Sequence, residues 1–157
     1  MALQGGHRFA VSMADAFPHG RYAMGAEQAQ DYNEKTGKRT PARDKQRGDQ
    51  YVWTITCIDR DPDARTREVR IKVTGPHLPE LPAEVLPGSG LRAVEFTGMT
   101  VTPYVEEGRG GGRARLALSY RATGVHSQGK AAGGSTTSGS SGSGRSGGQA
   151  SGDGKAA

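Results

Sequence analysis

Two stretches, Tyr51-Val52-Trp53-Thr54-Ile55-Thr56-Cys57-Ile58-Asp59 and Glu68-Val69-Arg70-Ile71-Lys72-Val73-Thr74, decide how this chain is read. In the first, Trp53, Ile55 and Cys57 fall on one side of an extended backbone and Thr54 and Thr56 on the other, the period-two pattern of a half-buried strand. In the second, Val69, Ile71 and Val73 point one way and Arg70 and Lys72 the other. The linker Arg60-Asp61-Pro62-Asp63-Ala64-Arg65 has the turn chemistry that joins the two as a hairpin.

The same pattern extends outward. Segments 91–96 and 99–105 read as strand, bend, strand, with Gly98 permitting the corner. A glycine-rich turn at 106–112 leads into 113–122, where Ala114, Leu116, Leu118 and Tyr120 alternate with Arg113, Arg115, Ala117, Ser119 and Arg121. Upstream, 22–31 and 39–45 are expected strands around an Asn33-Glu34-Lys35-Thr36-Gly37 turn. Residues 75–90 carry Pro76, Pro79, Pro82 and Pro87 and predict an irregular connection, because each proline removes a backbone donor. The one helical candidate is a brief turn over 11–16, stopped by Pro18. Six or seven short strands predict a mainly β fold, a small antiparallel barrel or sandwich, with an OB-like barrel favoured.

The expected organisation is a flexible segment over 1–15, a β-rich domain over 16–126 and a disordered Gly/Ser-rich tail over 127–157. From Gly129 onward there is no aromatic residue and no Leu, Ile or Val. Such a segment buries too little apolar surface to offset an ordering entropy of roughly 1–2 kcal/mol per residue. The formal net charge is +5 and the pI is about 9.6, a balance that favours anionic partners. Cys57 is the only cysteine, so no intramolecular disulfide is expected, in keeping with a reducing cytoplasm. No apolar run approaches the ~20 residues of a membrane helix, and the first residues do not read as a leader; a cytoplasmic, non-membrane protein is expected.

Catalytic constellations are not found. His7, His19, His77 and His126 are isolated from one another and from Cys57, without the spacing of a metal site. Cys57 shares a strand face with Trp53 and Ile55 and reads as a core thiol. Asp59, Asp61 and Asp63 read as a solvated turn, since the glycine and distal glutamate of a calcium loop are missing. Gly108-Arg109-Gly110-Gly111-Gly112-Arg113 lacks the Lys-Ser/Thr ending of a phosphate loop and precedes a strand. Phe17-Pro18-His19-Gly20 reads as a turn anchored by Phe17, and Tyr104 after Pro103 as a corner. No cofactor and no enzymatic activity are expected.

DNA, the single-stranded form favoured, is the expected partner. If the valines and Ile71 face the core, Arg70 and Lys72 project outward together, and Arg113, Arg115 and Arg121 do the same on the last strand. Arg43, Lys45 and Arg47 would extend such a basic face, and Tyr51 would add a stacking platform, the combination by which single-strand binders hold DNA. The same cations are also the ordinary solvated residues of an open sheet face. Exposed strand edges would permit a homo-oligomer.

One resemblance sharpens the setting. The blocks Phe17-Pro18-His19-Gly20, Tyr22-Ala23-Met24-Gly25, Arg43-Asp44-Lys45, Trp53, Asp61-Pro62, the run from Ala93 through Gly98 to Pro103-Tyr104-Val105, and Arg121-Ala122-Thr123-Gly124 occur in this order. Together they resemble the actinobacterial family of plasmid replication, integration and excision activators. The resemblance implies a non-catalytic accessory factor of a plasmid or integrative element. It would act by binding DNA, or as an adaptor recruiting a replication initiator or recombinase without touching DNA.

Overall fold

The computed structural model describes residues 6–108, 110 and 112–129. Its strands are β1 (Phe9–Ala10), β2 (Arg21–Gln28), β3 (Gln30–Asn33), β4 (Lys38–Pro41), β5 (Arg43–Asp44), β6 (Gln50–Asp59), β7 (Glu68–Thr74), β8 (Arg92–Thr97), β9 (Thr100–Gly108), β10 (Gly112–Ala122) and β11 (Gly124–Ser127). One helical turn, α1 (Met13–Ala16), follows β1, and a 3-10 turn covers Lys45–Arg47. The molecule is mainly β, with eleven strands among the described residues where six or seven were expected, the additional ones short.

The β6–β7 hairpin forms as the alternation predicts, with Ile55 opposite Ile71 and Thr54 opposite Lys72. Ile55, Cys57 and Ile71 are completely buried and Val73 nearly so, each aliphatic side chain contributing about 1.5–3 kcal/mol by leaving water. β2 pairs with β6 on one side and with β8 on the other. β8 and β9 are one run broken at Gly98, where φ is +58° and a Cβ would collide with Thr123 Oγ1. Through that corner the run pairs with β2 before the bend and with β10 after it, so the sheet curls around one core. Phe17 closes that core from the helical turn, whose Ser12 Oγ accepts a hydrogen bond from the Asp15 amide at 3.0 Å.

Several expectations need correction. The sheet is not wholly antiparallel: β10 runs parallel to β7, over the pairs Tyr120–Ile71, Arg121–Lys72 and Ala122–Val73. It is one curled sheet, not two sheets face to face, accompanied by a two-stranded β3–β4 hairpin. The strand expected over 22–31 divides: β2 ends at Gln28 and joins β6, while β3 folds back on β4. The ordered domain starts before Ala16, since β1 pairs with β9, and β11 carries it past His126 to Ser127. The 127–157 tail lies outside the described residues beyond Gly129.

Candidate nucleic-acid interface

The outward face of β7 carries Arg70, Lys72 and Thr74, because Ile71 and Val73 take the inward one. The parallel ladder then sets Arg121 of β10 directly beside Lys72. Only three residue pairs join these strands; the earlier part of β10 leaves with β9 as a two-stranded arm, Arg115 opposite Glu106 and Ala117 opposite Tyr104. Where β7 and the arm diverge, a hollow of about 760 Å³ opens. Its cations are Arg8, Arg70, Lys72 and Arg121, and Tyr104, Ala117 and Ser119 line the wall on the arm. A second hollow of about 520 Å³ lies across Arg70 and Lys72, bounded by Thr54, Glu27 and the β3–β4 hairpin with Asp31 and Arg39. The two share Arg70 and Lys72, and together make a groove across the outer face of the sheet.

One end of the groove is tied by Asp44. Its carboxylate is almost fully enclosed and accepts from Arg8 Nη1 at 2.8 Å and Arg8 Nη2 at 3.0 Å, from the Gln46 amide at 3.1 Å, from Thr74 Oγ1 at 3.1 Å and from Arg121 Nη1 at 3.3 Å. Burial would push this carboxyl's pKa up, but the hydrogen bonds and charge of Arg8, with Thr74 and Arg121, hold it below its ordinary value. Asp44 thus fixes two groove arginines by charge-assisted bonds. Lys72 has its pKa lowered by burial and by the neighbouring Arg121, against a weaker pull from Asp31. Arg121 is lowered by burial and by Arg8, with Asp44 and Asp31 opposing. Cations that disfavour one another's charge in a shared recess are stabilised by an incoming anion. Among the acids, Glu68 lies 3.6 Å from Arg70 in an exposed pair.

Of the residues expected in a basic face, the fold unites Arg70, Lys72 and Arg121. Arg113 and Arg115 are exposed but lie towards the tip of the arm; Arg115 sits six positions from Arg121, roughly 20 Å along the strand. Arg43 and Tyr51 form a separate pair. The guanidinium is 4.3 Å above the Tyr51 ring and donates to its hydroxyl at 3.0 Å. By alternation, Tyr51 falls on the face of Trp53, Ile55 and Cys57, opposite to Lys72. Lys45 and Arg47 occupy the 3-10 turn, where Gln46 reaches the hollow.

Two groove residues, and the buried carboxylate that ties the groove's end, escaped the sequence reading. Arg8 lies in a segment expected to be flexible, Tyr104 stands in mid-strand instead of at a corner, and Asp44 hid within Arg43-Asp44-Lys45. Cys57 is buried as expected, its thiol pushed up to about 12 by desolvation. Asp59 accepts from Arg21 at 3.1 Å, and Asp61 and Asp63 each donate a backbone amide to the aspartate two residues before; the acidic cluster is a turn. Phe17 is buried in the core. Among the described residues no group of three His, Cys, Asp or Glu side chains is arranged to hold a metal ion, and no helix is long and apolar enough to cross a membrane. No protein-family model, curated protein or solved structure matches the chain.

Proposed function

We propose that this chain is a non-catalytic DNA-binding accessory factor, acting in the cytoplasm as an activator of replication, integration and excision of an actinobacterial plasmid or integrative element. The observation that carries the DNA-binding part is the Lys72–Arg121 pair, set side by side on the groove floor with Arg70 and Arg8 next to it. Phosphate is the natural counter-ion for such a recess, and phosphate contacts dominate protein–DNA affinity. The genetic setting rests on the ordered blocks from Phe17 to Gly124.

An OB-like reading of the fold supports the same site. The pairings run from β2 to β6 to β7, across the parallel step to β10, to β9, and through the Gly98 bend back from β8 to β2. In OB barrels the face of the second and third strands and the loops beside it bind oligonucleotides. Here that face is the outer side of β6 and β7.

The test is anisotropy of labelled DNA across a salt series, with two paired substitutions. Arg70→Ala/Lys72→Ala is expected to weaken binding at least tenfold and to reduce the slope of log affinity against log salt by about 1–2. Arg113→Ala/Arg115→Ala, at the arm tip, is expected to do less. Undiminished binding by a folded Arg70→Ala/Lys72→Ala protein would refute the groove as the site. A second reading, an adaptor recruiting an initiator or recombinase, is favoured by one feature: Leu78, Val85 and Leu86 stand exposed along the proline-rich connection.

A further inference from the structure

We infer that the groove takes a single DNA strand and not a duplex, with the phosphates drawn to Lys72 and Arg121 on the floor and a base stacked on Tyr104. This rests on the DNA-binding reading above and names the form of the ligand.

Three features of the site converge on it. The floor cations are recessed: Lys72 and Arg121 are both only partly exposed, and the β3–β4 hairpin and the β9–β10 arm stand on either side of them. The backbone of a duplex lies on a broad convex surface, which meets the rims of such a recess before its floor; a lone strand can enter. The wall chemistry is graded from charged to aromatic. Lys72 and Arg121 occupy the floor and the exposed Arg70 its edge, while Tyr104, half exposed and opposite Ala117, stands on the arm that forms the wall. Ala117, its cross-strand partner, adds no more than a methyl group beside the half-exposed Tyr104. Stacking on that ring needs an unpaired base, and in a duplex the base faces are already occupied by their neighbours. Finally, the strands flanking the hollow are paired there on one side only, Val69–Arg70 with β6 and Leu118–Ser119 with β9. The β7–β10 ladder begins only at Ile71 and Tyr120, so the backbone before it, at Val69–Arg70 and Leu118–Ser119, borders the hollow as a source of hydrogen bonds to base edges or sugar oxygens.

The acids qualify where the strand lies without closing the groove. Asp44 is saturated by its five hydrogen bonds and enclosed. Glu68 is engaged with Arg70, whereas Glu27 and Asp31 border the second hollow only. The path of least repulsion therefore follows the first hollow, from Arg70 past Tyr104 towards Arg121 and Arg8.

The experiment uses the full chain with fluorescein-labelled oligothymidylate of about twenty nucleotides, a duplex of equal length and mixed sequence, and the unlabelled strands as competitors. The expected result is a preference for the single strand of tenfold or more. Tyr104→Ala is expected to weaken single-strand binding about tenfold at unchanged melting temperature, with near-full affinity kept by Tyr104→Phe, since either ring offers the same stacking face. Equal binding of both forms, unaffected by Tyr104→Ala but lost in Arg70→Ala/Lys72→Ala, would overturn the single-strand inference and leave the DNA-binding function standing. Binding of neither form at low salt would remove both.

Discussion

Asp44 shows how one side chain organises a surface it is not itself part of. Enclosed and five-fold hydrogen-bonded, it fixes Arg8 and Arg121 and ties the segment before β1 to the turn after β5. Its pKa in the folded protein lies below the ordinary aspartate value, so its contribution to stability is present above the unfolded pKa and is lost as pH falls through the folded one. Asp44→Asn is therefore expected to destabilise by about 2–3 kcal/mol near neutrality, through two arginines left without their carboxylate. In denaturant titrations the gap between the two proteins should narrow as pH drops below about 4. A gap constant from pH 7 to pH 2 would contradict the assignment. None of this is visible in the tripeptide Arg43-Asp44-Lys45, which reads as one acid between two bases; burial of the middle residue is decided by Arg8, Thr74 and Arg121, all distant in the chain.

Among the elements, the β6–β7 hairpin was legible from alternation alone, because both its strands and its turn are local. The strand-bend-strand run through Gly98 was legible for the same reason, glycine marking the corner. The reason the corner needs glycine was not: Thr123, whose hydroxyl donates to the Thr97 carbonyl at 3.1 Å, fills the space a Cβ would take. Gly98→Ala combines that collision with a left-handed φ and is expected to cost about 1–3 kcal/mol. Part of the loss should return in Gly98→Ala/Thr123→Ala, a coupling that chemical denaturation of the four proteins of the cycle would reveal. Simple additivity would indicate that backbone conformation, not the Thr123 contact, sets the cost. The arm formed by β9 and β10 illustrates the limit of alternation. Ala114, Leu116 and Leu118 alternate with polar residues as a buried strand would, yet Leu116 and Leu118 are exposed, since the arm outruns the core that covers Tyr120 and Ala122.

For the molecule as a whole, the partnership of β7 with β10 was the least legible feature, and it decides the site. Sequence periodicity assigns Lys72 and Arg121 to outward faces but says nothing of which strands are neighbours; the three-pair parallel ladder supplies that. It also couples ligand to fold, because whatever occupies the groove holds its two walls together. Oligonucleotide at a free concentration a hundredfold above Kd is expected to stabilise the protein by about 2.7 kcal/mol, a rise of several degrees in Tm. At the same oligonucleotide concentration the rise should fall to about half or less in Arg70→Ala/Lys72→Ala, as a tenfold weaker Kd leaves about 1.4 kcal/mol; if it is undiminished there, the stabilising contact lies elsewhere.

The ladder has a kinetic consequence as well. The two hairpins, β6–β7 and β9–β10, each close from nearby residues, whereas opposing Ile71 to Tyr120 requires the chain to close a loop of roughly fifty residues. Local pairings of this kind form in microseconds and distant ones are slower. The groove comes into being only when that contact is made, so whatever it is proposed to hold can be held only after both hairpins have formed and met, and is lost when they part.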